Sequence, residues 1–156
     1  MRFILLDRVT ELQSGQRISA IKALSLSEEY LADHFPQFPV LPGVMMIEAL
    51  VQTAAMLVRV TNNFQQSMIV LKETRNVKYK SFVKPGNVLK IKLEAKSLEE
   101  NESSFKGDVS VGELPMMEAR LKLRHYNLAN DDPGMASIDQ QIIEQMKQRA
   151  RLVGAC

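Results

Sequence analysis

Residues 34–52 read HFPQFPVLPGVMMIEALVQ, with one histidine, three prolines, one glycine and a single glutamate in an apolar run. An imidazole can accept a proton near neutral pH. A carboxyl kept in apolar surroundings holds its proton and can donate it. A helix that starts at Gly43 or Val44 leaves free N–H groups able to bind a developing negative oxygen, and glycine there permits close backbone approach. Base His34, acid Glu48 and donor Gly43 are the parts needed to remove a proton beside a carbonyl and expel a neighbouring hydroxyl. The same residues also suit a structural loop histidine and a paired or solvated glutamate. Spacing alone leaves both readings open.

Those residues need elements to position them. Pro36, Pro39 and Pro42 keep the segment extended, because each fixes its own φ and disfavours helix in the residue before it. From Val44 to about Val60 there is no proline or glycine, and the pattern predicts a long helix. Glu48 and Gln52 lie four apart and share a face, with Arg59 on roughly the same side further on. The rest is apolar nearly all round, as in a buried helix.

The flanking segments have the period of strands. Val9–Gln13 and Arg17–Leu24 flank the turn Ser14-Gly15-Gln16, and Ser27 suits the cap of a short helical turn. Met68–Glu73 and Val77–Phe82 are two short candidates. Leu89, Ile91, Leu93 and Ala95 alternate with lysines and Glu94; Phe105–Val111 and Met117–His125 repeat the scheme on either side of Gly112-Glu113. These predict an α+β fold in which an antiparallel meander wraps the long helix. Residues 1–128 are expected to form one domain. Residues 129–156 read as a linker followed by an amphipathic C-terminal helix, with Ser137-Ile-Asp-Gln as a capping box and Ile138, Ile142, Met146, Ala150 and Val153 as its stripe.

Composition narrows the function classes. The 156 residues are 46% hydrophobic, enough for a sizeable core. Twenty basic against 18 acidic residues, a formal charge of +2, give no sign of a nucleic-acid binder. One cysteine, Cys156, excludes an internal disulfide and CxxC metal sites. Four apolar residues before Asp7 are too few for a secretory signal, and no uninterrupted run reaches the ~18 apolar residues of a membrane span. The expectation is a cytoplasmic protein without a transmembrane segment.

The opening stretch closely resembles the active-site segment of the 3-hydroxyacyl-[acyl-carrier-protein] dehydratases of the FabZ type. That family's pattern is H-F-P-G-x-P-V-x-P-G-V, three residues, then E-A and a following Q. His34, Phe35, Pro36, Pro39, Val40, Pro42, Gly43, Val44, Glu48, Ala49 and Gln52 fall on it without a gap. The likeness extends through FILLDRVTEL upstream and KYKSFVKPGN downstream, over roughly residues 1–127. It implies a hotdog fold, with a sheet wrapped round a central helix, and homodimers or trimers of dimers. In such a dimer His34 of one subunit faces Glu48 of its partner.

On this resemblance Gly43 and Val44 supply the oxyanion donors and Gln52 orients Glu48. The enzyme would be a hydro-lyase whose substrate rides on the phosphopantetheine of an acyl carrier protein, without metal or other cofactor. Glutamate at the acid position favours the simple dehydratase over the dehydratase–isomerase branch, which carries aspartate. The sequence departs from the pattern at Gln37 (family glycine), Asp33 (small residue) and Asn87 (family aspartate). The alternatives are a hotdog thioesterase and a catalytically degenerate acyl-binding or partner subunit.

Other residues carry weaker signals. Residues 72–96 hold eight basic residues against Glu73 and Glu94, which fits either a solvated strand face or a dock for an acidic carrier protein. Arg75, Lys78, Lys80 and Lys84 are the docking candidates. Met45, Met46 and Met56 suit an acyl tunnel or simple core filling. His125, on an apolar strand face, reads as a satisfied core histidine.

Overall fold

The computed structural model describes residues 3–156. Strands β1 (Arg8–Gln13) and β2 (Arg17–Ala23) are followed by a short helix α1 (Glu29–Asp33) and the long helix α2 (Gly43–Thr61). Strands β3 (Met68–Tyr79), β4 (Val88–Leu98), β5 (Glu102–Val111) and β6 (Leu114–Tyr126) come next, and helix α3 (Ala136–Leu152) ends the chain. The six strands form one antiparallel sheet in the order β1-β2-β4-β5-β6-β3. β1 and β3 are therefore its edges.

Alternation sets the face of each strand. Leu89, Ile91 and Leu93 of β4 are buried while Lys90, Lys92 and Glu94 between them are exposed. Met117, Ala119, Leu121, Leu123 and His125 do the same for β6. The inner face wraps α2, whose Ala49, Leu50, Ala54, Leu57 and Val58 are almost wholly buried. Removing such side chains from water contributes about 1.5–3 kcal/mol for each large one. Gly107 marks the closest approach of helix and sheet. A Cβ there would lie 2.8 Å from both Leu50 Cδ2 and Leu93 Cδ2, so no larger residue fits. At the far end of α2, Thr61 Oγ1 accepts from Gly15 N at 2.9 Å, which ties the β1–β2 turn to the helix. By length and composition α2 could span a membrane, but most of it lies inside this core.

Three local expectations change. Met68–Tyr79 is one continuous strand, not two short ones, and Phe82 lies outside it. The polar Thr74-Arg75-Asn76 does not break it, because Asn76 takes φ 53° and the register with β6 shifts between Arg75 and Lys78. Ser27 does not cap α1; its hydroxyl pairs with Ser25, and Glu28 stands at the N-cap without a side-chain bond. The capping box at Ser137 is absent, since α3 already starts at Ala136, directly after a 3-10 turn over Pro133–Met135.

Asp139, inside the expected SIDQ box, turns inward. It accepts from Ser67 Oγ, from Leu128 N at 2.9 Å and from Ala129 N at 2.9 Å. Of the expected stripe of α3, Ala150 and Val153 are buried and Ile142 and Met146 half-buried, while Ile138 is exposed and Asp139 takes the inward place. Val153 O accepts from Val9 N at 2.8 Å. The C-terminal helix thus runs from the start of β3 to the start of β1 and packs back onto its own chain.

Candidate active site

The centre of the site is one face of α2. Glu48 is half-buried there, and Gln52 Nε2 donates to its Oε1 at 2.9 Å. The same amide donates to Phe3 O at 2.8 Å, and its Oε1 accepts from Leu5 N at 2.9 Å. Gln52 therefore pins the N-terminal segment to the helix and fixes one carboxylate oxygen of Glu48. The i, i+4 spacing that places both side chains on one face is visible in the sequence; the backbone clamp is not.

His34 stands just beyond the end of α1, half-buried, with its ring 4.4 Å from that of Phe35. No described side chain hydrogen-bonds to its imidazole. Phe35 takes φ 49°, an unfavourable conformation for a non-glycine residue that the loop must hold in place. Pro36 and Gln37 are the central residues of a turn closed by Phe38 N to Phe35 O at 2.8 Å. Gln37 does not need positive φ there, which explains why this chain tolerates glutamine where the resemblance expects glycine. The loop is braced from the other side as well: Leu41 N donates to Val83 O at 2.8 Å, and the Phe38 ring meets Phe82 edge-on at 6.0 Å. Asp33 is exposed.

Gly43 opens α2 after Pro42, with no side-chain cap. Met45 N is satisfied by Pro42 O at 2.9 Å. The N–H groups of Gly43 and Val44 have no partner within the helix, since they belong to its first turn. Val44 is 65% exposed. A Cβ on Gly43 would sit 2.8 Å from Cε1 and 2.9 Å from Cζ of Tyr79, so the tyrosine ring lies flush against the helix start. Sequence reasoning missed Tyr79. Its only signal is position, one residue before Lys80 on a strand whose continuity was not legible. Although half of the residue is exposed, its hydroxyl is pushed above the usual tyrosine range by desolvation.

The four basic candidates separate. Arg75 pairs with Glu73 and lines a hollow of about 360 Å³ on the outer sheet face, where no residue of the His34 loop or α2 takes part. Lys78 and Lys80 share Glu118 at 3.6 and 3.2 Å. Lys84 alone sits at the loop, its Nζ 5.5 Å over the Phe38 ring. Met46 and Met56 are buried in the core, and Met56 also faces the hollow beside Glu48. His125 is buried, with Ser103 Oγ 2.7 Å from its Nε2. Burial holds its imidazole below the ordinary histidine range, and the nearby Arg59 charge acts the same way. No cluster of three or more metal-ligating side chains occurs among the described residues.

A profile for the FabA-like domain matches residues 1–120. A 3-hydroxyacyl-[acyl-carrier-protein] dehydratase FabZ of Levilactobacillus brevis is 36% identical over 118 residues, covering 76% of this chain and 80% of that one. The chain belongs to the FabZ-type dehydratase family. Among solved structures, the dehydratase heterocomplex ApeI:P from Xenorhabdus doucetiae matches with a TM-score of 0.71 at 21% identity, over 81% of this chain and 86% of the other. A hypothetical thioesterase of Streptococcus pneumoniae, solved with coenzyme A, matches with a TM-score of 0.55 at 14% identity, over 77% and 85%. These likenesses establish the hotdog fold. They do not separate dehydratase from thioesterase, whereas the sequence relationship to FabZ does. The FabA-like profile, over residues 1–120, spans Glu48 and Gln52, the His34 loop and Gly43.

Proposed function

We propose that this FabZ-type protein dehydrates (3R)-3-hydroxyacyl chains carried on the phosphopantetheine of an acyl carrier protein. The product is a trans-2-enoyl thioester, in fatty-acid or related acyl-chain synthesis. The observation that carries the reading is the Gln52–Glu48 hydrogen bond, which aims the carboxyl from a face of α2 that borders a hollow. His34, with an imidazole free of hydrogen bonds among the described residues, supplies the base.

The steps use protons only. Neutral His34 removes a proton from C2 of the thioester, and the Gly43 N–H, with that of Val44, steadies the negative charge that grows on the thioester oxygen. Glu48, in its protonated form, gives its proton to the C3 hydroxyl, which leaves as water as the C2–C3 double bond forms. The proton taken by His34 then returns to Glu48 through solvent. This sequence calls on no metal or nucleotide.

The two groups work across a homodimer on this reading. No hydrogen bond joins His34 to Glu48 within the chain. β3 is a 12-residue edge strand with one free side, suited to pairing with its own copy. Lys84 beside the His34 loop, supported by Lys78 and Lys80, would receive the acidic carrier. The setting is cytoplasmic. The test is hydration of a series of 2-enoyl carrier thioesters, followed by loss of enone absorbance. Wild type should turn over and Glu48→Gln should not; equal rates would overturn the assignment.

A further inference from the structure

A hollow of about 260 Å³ lies beside α2, bordered by the N-terminal segment, the start of β3 and α3. Glu48 and Gln52 line it, Arg59 stands three turns further along the helix, and Ile69, Met146 and Arg149 line it from β3 and α3, among mostly apolar side chains. Eleven residues of helix separate Glu48 from Arg59, about 16 Å along the axis. The carboxyl of Glu48 and the side chain of Arg59 therefore border the same hollow.

Both arginines on this wall lack an ion-pair partner among the described residues. Arg59 is only 9% exposed, and its one hydrogen bond goes from Nη2 to Ser67 O at 3.0 Å. Burial lowers its pKa to about 10. Arg149 Nη2 is buried without a hydrogen-bond partner among the described residues. Asp7 is the carboxylate whose charge reaches Arg149, but its oxygens are taken by Lys22 Nζ at 3.4 Å and Ala23 N at 2.8 Å. A desolvated guanidinium without a counter-charge is costly, and an anion brought to it forms short, strong, paired hydrogen bonds.

We infer that this cavity binds an acyl chain ending in a carboxylate, with the reacting carbons at Glu48 and the terminal carboxylate on Arg59 and Arg149. The inference rests on the dehydratase reading for the reacting end and adds the chemistry of the far end. A methyl terminus would leave both guanidiniums unpaired against hydrocarbon, so the cavity discriminates against it. Met146 and Arg149 belong to α3, beyond the residues matched by the family profile. Selection of the chain end is thus a property of the C-terminal helix.

The test uses two non-reacting probes, S-decyl-pantetheine and S-(9-carboxynonyl)-pantetheine, titrated calorimetrically into the full-length protein. Wild type should bind the carboxyl-ended probe about tenfold more tightly or better. Arg149→Gln should bring the two affinities close together, and Arg149→Lys should keep part of the preference. Equal affinities in wild type, or a preference unchanged by Arg149→Gln, would overturn the inference. If Arg149→Gln fails to fold, the wild-type comparison decides alone. Turnover of 3-hydroxydecanoyl and 3-hydroxydecanedioyl thioesters separates the two readings. Efficient dehydration with a methyl-end preference removes the anion site and leaves the dehydratase. A carboxyl-end binding preference without turnover of any thioester removes the dehydratase and leaves the anion site.

Discussion

Gln52 Nε2 and Glu48 Oε1 lie 2.9 Å apart, one helical turn along α2, and the same amide side chain holds Phe3 O and Leu5 N. A single residue thus joins the order of the N-terminal segment to the aim of a carboxyl. Gln52→Ala should lower kcat on the order of tenfold to a hundredfold through loss of aim. It should also cost about 1–3 kcal/mol of stability from the unpaired backbone groups. Steady-state kinetics beside chemical denaturation check both. A kinetic loss without any loss of stability would show that the clamp is not structural.

Gly43 leaves room for the Tyr79 ring, which would otherwise stand 2.8 Å from an added Cβ. Gly43→Ala should push the ring outward, cost about 1–3 kcal/mol and reduce turnover. Because Tyr79 is half exposed on an edge strand, Gly43→Ala combined with Tyr79→Ala should recover most of the stability. Thermal unfolding of the two single variants and the double variant measures that coupling.

Two buried groups contribute to the acid sensitivity of the fold. Burial raises the Asp139 carboxyl, but hydrogen bonds from Ser67 Oγ and from Ala129 and Leu128 N–H outweigh it and hold the carboxyl below its ordinary range. Its contribution is complete above the unfolded value of about 3.9 and fades as pH falls through the lower folded value. His125 is held neutral, chiefly by desolvation. The unfolded chain therefore binds a proton near pH 6.5 that the folded chain refuses, and stability declines as pH drops below that point. Denaturation midpoints from pH 8 to pH 3 should show both declines. His125→Gln should reduce the first, and Asp139→Asn should reduce the second, to which Glu94, Glu102 and Glu118, held low by their lysine partners, also contribute.

Lys84 lies over the Phe38 ring of the His34 loop, and no carboxylate pairs with it among the described residues. Lys84→Glu should raise KM for carrier-linked substrate several-fold at low salt, and far less for a pantetheine thioester. Arg75→Glu, on the outer sheet face, should have the smaller effect. Initial rates over a salt series distinguish the two.

Much of this arrangement is legible in the sequence because regular periods report faces. Alternation in β4, β5 and β6 gives the sheet its inner side, and the apolar run after Gly43 gives the buried helix. The i, i+4 relation of Glu48 and Gln52 needs no structure. What stays hidden depends on partners distant in the chain. β3 reads as two pieces because Thr74-Arg75-Asn76 is polar, and only pairing with Met117–Tyr126 of β6 carries it through. Asp139 looks like a helix-start residue until Ser67 Oγ and the N–H groups of Leu128 and Ala129 claim it. Tyr79 against Gly43, and Arg149 facing the same space as Arg59, join elements with no sequence period in common.

The central claim is that a base from one protomer and an acid from its partner form each active centre. Mixing His34→Ala with Glu48→Gln tests it most directly. Each variant alone should be inactive as a folded dimer. After subunit exchange, half the dimers are mixed and each holds one intact pair, so activity should return to about a quarter of wild type. If mixed dimers form, as mass spectrometry would show, and the mixture stays inactive, the two groups do not meet across the interface.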